Sequence, residues 1–219
     1  MASGISPTRR AAAAQRRDSI LEAARTVFAR QGYADTVVDD IAVHAGIGKG
    51  TLYLYFPSKE QIYLAALLEQ ARRLDADSRA AMSAASTWRD KLRAFVEMRL
   101  RYFDEHADFM RIYMTEFRMM CLLGKSAHPE LNRLAERCES QLAQMFAEAR
   151  GKGEIRDIDP ELAALTVSDL LRGLMERRLR QLGRPVGQPD TDFALDLVLR
   201  ALGTQNGTDK TDETDKNKT

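Results

Sequence analysis

The chain has 219 residues and a formal net charge of +1, with 30% charged and 44% hydrophobic residues, which suits one or two compact domains of a soluble helical protein. Near-neutrality excludes bulk charge as the route to nucleic acid, so any such contact must use local basic groups. No apolar run approaches the roughly 20 residues that span a bilayer. No secretory apolar core opens the chain, and Cys121 and Cys138 have neither CxxC nor zinc spacing, as expected for reduced thiols in a cytoplasmic protein.

Residues 1–15 hold little apolar content beyond alanine and include Arg9 and Arg10, with Arg16 and Arg17 following. This reads as a flexible basic arm that touches phosphates or the minor groove. A first helix is expected from about Arg16 to Gln31, with Ile20, Ala23, Ala24, Val27 and Phe28 as one apolar stripe and Gly32 as a left-handed cap. Thr36 to Lys59 then reads as two short helices joined by a tight turn. Thr36 is placed to cap the first, with Asp39 as its capping-box partner. Val38, Ile41 and Ala42 share one face of it. Gly46 stands where a sharp turn needs positive φ, and Ile47 fills the angle between the helices.

In the second short helix Leu52 and Phe56, four residues apart, form the buried side. That leaves Gly48, Lys49, Gly50, Thr51, Tyr53, Leu54 and Tyr55 on or beside the exposed side, groups that suit a DNA major groove. Pro57 stops the helix. Ser58 and Gln61 make a capping box for the next one, which puts Lys59 in its first turn, where a cation opposes the helix dipole unless an anion lies close. This helix is expected to run to about Ala84 before a break at Ser83–Thr87.

Thr87 and Asp90 cap a helix carrying Leu92, Phe95, Val96, Arg99, Leu100 and Phe103. A methionine-rich helical segment, Ala107 to Leu123, follows. After a turn at Gly124–His128, a helix begins at Pro129 and ends at Gly151–Gly153. Another starts at Asp159-Pro160-Glu161 and runs to about Leu182. A loop spans Gly183 to Pro189, and the last helix holds Phe193, Ala194, Leu197, Val198, Ala201 and Leu202. Residues 204–219 have no apolar member and read as a disordered tail. The expectation is an all-α protein of about nine helices, without strands.

The run Ile41-Ala42, Ala45-Gly46-Ile47, Lys49-Gly50-Thr51-Leu52-Tyr53, Tyr55-Phe56 and Ser58-Lys59 resembles the helix-turn-helix of the TetR family of bacterial transcriptional regulators. The match covers roughly residues 14 to 74; beyond it the likeness lies only in the helical pattern. The resemblance implies a DNA-binding three-helix bundle over 16–74, with the helix-turn-helix at about 37–56, and a ligand-binding and dimerisation domain over 75–203. It implies base and backbone contacts at Tyr53, Leu54 and Tyr55 and a backbone contact at Lys59; Thr36 is a further candidate DNA contact. Two departures stand out: the family often has serine where Gly48 stands and threonine or serine where Val37 stands.

One recognition helix covers few base pairs, so a double-stranded DNA operator calls for a homodimer. The expected dimer surface is a bundle built from Leu171, Leu174, Met175, Ala194, Leu197, Val198 and Ala201. Six of the nine methionines lie between Met98 and Met145, and methionine adapts to varied apolar ligands. A pocket for an unidentified, largely apolar effector is therefore expected at Phe95, Met98, Tyr102, Met110, Tyr113, Met114, Phe117 and Met145. His44, His106 and His128 lack metal spacing. No nucleophile elbow, Walker loop, dinucleotide fingerprint or acid–base pair is present. The chain therefore reads as no enzyme, with no cofactor and no metal. The function expected is a ligand-responsive repressor released from a palindromic operator. The alternatives are control by a protein partner or by thiol oxidation, or a helical small-molecule binder whose DNA module is idle.

Overall fold

A computed structural model describes residues 7–107, 110, 129–180 and 188–203. Among them lie eight helices and one isolated antiparallel bridge, Ile155–Gly203. In order these are α1 (Pro7–Asp35), α2 (Val38–His44), α3 (Lys49–Tyr55), α4 (Lys59–Ser83), α5 (Trp88–Glu105), α6 (Pro129–Gly151), α7 (Pro160–Arg180) and α8 (Gln188–Leu202). The all-α expectation holds. Most of the methionine-rich segment, Cys121, the turn before Pro129 and the tail over 204–219 lie outside the described residues.

Local chemistry sets the helix ends. Gln61 N–H donates to Ser58 Oγ at 3.2 Å, Asp90 N–H to Thr87 Oγ1 at 3.1 Å, and Glu161 N–H to Asp159 Oδ1 at 2.9 Å, each satisfying an orphan donor of a first turn. α1 departs from expectation at its start. It begins at Pro7, a residue preorganised for a first turn, so residues 7–15 are helical and not a flexible arm. The alanine run 11–14 explains this, since alanine has the highest helix propensity. At the other end the expected interruption is present: Gly32, with φ 79° and ψ 167°, is non-helical and separates the main helix from a short last turn that reaches Asp35.

The chain divides into two compact units, one drawn from Met1–Asp77 and Arg101–Ala135, the other from Ser78–Leu100 and Glu136–Thr219. α4, α5 and α6 therefore each contribute to both. In the first unit, Ile20, Leu21, Ala24, Val27 and Phe28 of α1 pack with Ile41 and Ala42 of α2, Leu52 of α3, Phe56, and Ile62, Tyr63, Ala66 and Leu67 of α4. Phe28, Tyr33 and Tyr63 form an aromatic trio, with Phe28–Tyr63 edge-on at 5.2 Å and Tyr33–Tyr63 at 4.8 Å. The second unit buries Leu92, Phe95 and Val96 of α5, Leu142, Met145 and Phe146 of α6, Ala164, Val167 and Leu171 of α7, and Ala194 and Leu195 of α8.

Candidate nucleic-acid interface

α2 and α3 present their surface because the turn between them is tightly determined. Ala45 caps α2, Gly46 follows at φ 66°, Gly46 N–H donates to Val43 O at 3.1 Å, and Ile47 N–H donates to Ala42 O at 3.0 Å. That is the Schellman pattern, in which a glycine takes the left-handed position and the last carbonyls of the helix are satisfied. Ile47 is then drawn against the core. α3 starts at Gly48, which has no side chain to cap with, and Leu52 and Phe56 anchor its inner side.

The outer side carries the predicted groups. Gly48, Lys49, Gly50 and Thr51 are exposed, Tyr53 is 40% exposed and Leu54 86%. Tyr55 is half-buried against the core. Lys49 Nζ lies 2.6 Å from Asp39 Oδ1, and this hydrogen bond raises the lysine pKa from its ordinary value. The pair is open to solvent, so Lys49 can exchange a carboxylate for a phosphate oxygen without losing buried contacts.

Gly48 and Gly50 have ordinary negative φ, and a Cβ at either would meet nothing within 4 Å. Neither the backbone nor the packing of this chain requires glycine there. Bare backbone on the exposed face of a helix that also offers lysine, hydroxyl, aromatic and aliphatic groups is suited to close approach by base edges and thymine methyls.

Two predicted DNA contacts are placed elsewhere. Thr36 is 1% exposed, and its Oγ1 donates to Gly32 O at 2.6 Å. It does not cap α2, whose N-cap is Val37 without a side-chain bond. The kink at Gly32 leaves a carbonyl that the hydroxyl satisfies, and that local demand wins over the capping box. Lys59 donates to Tyr33 O at 2.7 Å, Thr36 O at 2.9 Å and Ala34 O at 3.1 Å, and its ammonium lies 4.6 Å from the centre of the Tyr33 ring. All three ammonium protons thus have carbonyl acceptors around the C-terminal end of α1, the negative end of that helix dipole. Its unfavourable place in the first turn of α4 is relieved within the chain, without a phosphate.

Sequence reading also missed a buried polar joint in the same unit. The Gln70 side-chain carbonyl accepts from Arg25 Nε at 2.8 Å and Nη1 at 2.9 Å, and its amide nitrogen donates to the Tyr102 hydroxyl. Tyr102 donates in turn to Gln70 O at 3.3 Å, and Arg25 also pairs with Glu22. All three members are at least nine-tenths buried. Burial lowers the Arg25 pKa, with Arg73 adding to the effect, and burial raises that of Tyr102 to about 12. An arginine beside the apolar stripe of α1 was the one sequence signal available.

Of the expected effector-pocket residues, Phe95, Met98, Tyr102, Met110 and Met145 are buried, while Tyr113, Met114 and Phe117 lie outside the described residues. Phe95, Met98 and Met145 belong to the second unit; Tyr102 and Met110 belong to the first. Of the expected dimer residues, Leu171, Met175 and Ala194 turn inward to the core of their own unit, a correction that follows from helical phase. Leu174 and Val198 are half-buried, and Leu197 and Ala201 are exposed. Leu162, Leu165 and Phe193, absent from the expectation, extend this outward apolar surface. Among the described residues no group of three or more His, Cys, Asp or Glu side chains is placed to hold a metal, and no helix is long and apolar enough to cross a membrane.

Comparison with known proteins agrees with this geometry. Residues 20–66 match the family described as bacterial regulatory proteins, tetR family, and residues 85–176 match the tetracyclin repressor-like C-terminal domain. The chain is 30% identical over 192 residues to the HTH-type transcriptional repressor KstR of Mycolicibacterium smegmatis, spanning 87% of this chain and 89% of that protein. The fatty acid degradation regulator FadR from Bacillus halodurans superposes with a TM-score of 0.73 at 22% identity, covering 90% of this chain and 97% of that one. The transcriptional regulator FadR from Bacillus subtilis, solved in complex with stearoyl-CoA, gives 0.70 at 22% identity over 82% and 96%. At those identities the two structures show a shared fold.

Proposed function

The chain belongs to the TetR family of bacterial regulatory proteins and is a ligand-responsive, DNA-binding transcriptional regulator; on that premise we propose that it is a cytoplasmic homodimeric repressor, released from a palindromic operator by a small, largely apolar effector. The observation that carries the DNA half of this reading is the face of α3. Leu52 and the adjoining Phe56 are buried, while Lys49, Gly50, Thr51, Tyr53 and Leu54 face out, and among the described residues nothing lies within 4 Å of a Cβ placed at Gly48 or Gly50. Two such faces about 34–36 Å apart would enter successive major grooves of one duplex side.

The effector half rests on the buried Phe95, Met98 and Met145, which offer adaptable apolar surface, and on the stearoyl-CoA held by the Bacillus subtilis relative of the same fold. We take a ligand with a long acyl chain as the leading effector class, the chain being the part that such apolar side chains would hold, and stearoyl-CoA as its probe. Such a ligand acts only through different affinities for the DNA-competent and DNA-incompetent states. The route proposed for it is α4, whose first turn holds the end of α1 through Lys59 and whose Gln70 joins Arg25 to Tyr102.

The test is a selection from a random duplex pool followed by gel shift. The recovered sites should be palindromic, Tyr53→Ala should lose them while keeping wild-type helicity and melting, and stearoyl-CoA should raise the melting temperature and release the DNA. Recovered sites without two-fold symmetry would remove the dimeric operator. A second reading, thiol control, is favoured by one contact: Arg99 Nη1 donates to Sγ of the half-buried Cys138 at 3.3 Å, so a free thiol stands beside a guanidinium. Release by peroxide in place of acyl-CoA would select it.

A further inference from the structure

We propose that the N-terminal end of α1 is a second DNA-contact site, a helical row of Arg9, Arg10 and Arg16 that lies along the phosphate backbone beside the groove entered by α3. The inference rests on the DNA-binding reading of α3 and adds a surface to it.

Helical phase is the first argument. At about 100° per residue, residues seven apart nearly superimpose, so Arg9 lies over Arg16 and Arg10 over Arg17, and the four cover an arc of about 120°. Further along α1 the same arc holds Ile20, Ala24, Val27 and Phe28, with Leu21 at its edge, all buried in the bundle. The helix keeps one side turned toward the bundle throughout. That side is apolar where the bundle covers it and arginine where the helix runs past it. Asp18 and Glu22 fall on the opposite side and are exposed there.

The second argument is position. The Arg17 guanidinium lies 5.2 Å from the centre of the Phe56 ring, and Phe56 is the C-cap of α3. The row therefore begins beside the end of the recognition helix. From Arg9 to Arg17 it extends about 12 Å, close to the rise of three to four base pairs. The alanines at 11–14 stiffen the span between its two pairs.

The third is charge. Several surface arginines elsewhere pair with acids on their own helix, as in Arg73–Glu69, Arg93–Glu97, Arg172–Asp169 and Arg200–Asp196, whereas Arg30, Arg101 and Arg133 stand singly among the described residues; what sets the start of α1 apart is that its arginines are clustered on one side. Residues 7–17 contain no acid. Arg9, Arg10 and Arg16 are exposed and have no ion-pair partner among the described residues. Arg9 and Arg10 stand in the opening turns of a helix with no acidic residue in its first turn, where cations oppose the dipole. An external polyanion answers both imbalances.

The experiment measures binding of the full chain to a short duplex of arbitrary sequence over about 50–200 mM salt, where each phosphate contact contributes a slope of about −0.9 in log K against log salt. Replacing Arg9, Arg10 and Arg16 with alanine should flatten the slope by about five units per dimer, for three contacts on each protomer. The triple lysine variant should keep the wild-type slope. Ala13→Pro retains every charge but breaks the helix between the pairs, and it should flatten the slope by the share of Arg9 and Arg10. A wild-type slope in the triple alanine variant, or in Ala13→Pro, overturns the proposal. So does a loss confined to A·T-rich duplexes, which would mean insertion into the minor groove. A wild-type chain that binds no duplex sinks the reading of α3 as well, whereas binding with an unaltered triple variant sinks this inference alone. Circular dichroism of each variant checks that the bundle is folded.

Discussion

At Gly50 a Cβ would find open space and a helical backbone, so α3 by itself would be better served by alanine. Gly50→Ala should stabilise the fold by about 0.5–1 kcal/mol. It should also weaken operator binding at least tenfold, read by thermal melting and gel shift on one preparation. Tight binding by the variant would remove close backbone approach as the reason for the glycine. Lys59 makes the opposite case. Its charge-assisted bonds to Tyr33 O, Ala34 O and Thr36 O bind the start of α4 to the end of α1. Lys59→Ala should lower stability by roughly 1.5–3 kcal/mol while leaving the salt slope of DNA binding unchanged. A flatter slope with unaltered melting would restore Lys59 to the phosphate contacts.

Between elements, the Arg25–Gln70–Tyr102 joint ties α1, α4 and α5 together through buried polar atoms. Tyr102→Phe leaves the Gln70 amide without its acceptor and should cost about 1–3 kcal/mol. The pH dependence has a definite sign. Folding raises the Tyr102 pKa from 10.0 to about 12, so the folded state holds the phenol proton where the unfolded state releases it. The stability from this shift is fully present below pH 10.0 and is lost as pH rises toward about 12. Alkaline melting of wild type should therefore converge on that of Tyr102→Phe across this window; parallel curves would show that the phenol is not held neutral by the fold.

For the whole molecule, the outward apolar surface separates assembly from stability. Phe193 is 68% exposed and Leu197 50%, and Leu162 and Leu165 are exposed as well, an arrangement that suits burial against a second copy. Phe193→Glu with Leu197→Glu should yield a folded monomer by light scattering and lose operator affinity. Met175→Glu, which puts a charge into the core, should instead unfold the chain. A dimer that survives the double substitution would place the interface elsewhere.

Signals confined to a few neighbouring residues were legible without coordinates. The apolar stripe of α1, the turn at Gly46, the caps at Ser58, Thr87 and Asp159, and the outer face of α3 all follow from periodicity, backbone sterics and short-range hydrogen bonding. The family resemblance rested on those same positions. What needed the tertiary structure was every choice between competing partners. Thr36 bonds Gly32 instead of capping α2, Lys59 bonds three carbonyls instead of waiting for phosphate, and Leu171 and Met175 face inward while Phe193 faces out. Spacing along a chain defines which groups share a face. Only the packing of other helices against that face decides whether it meets protein, solvent or DNA.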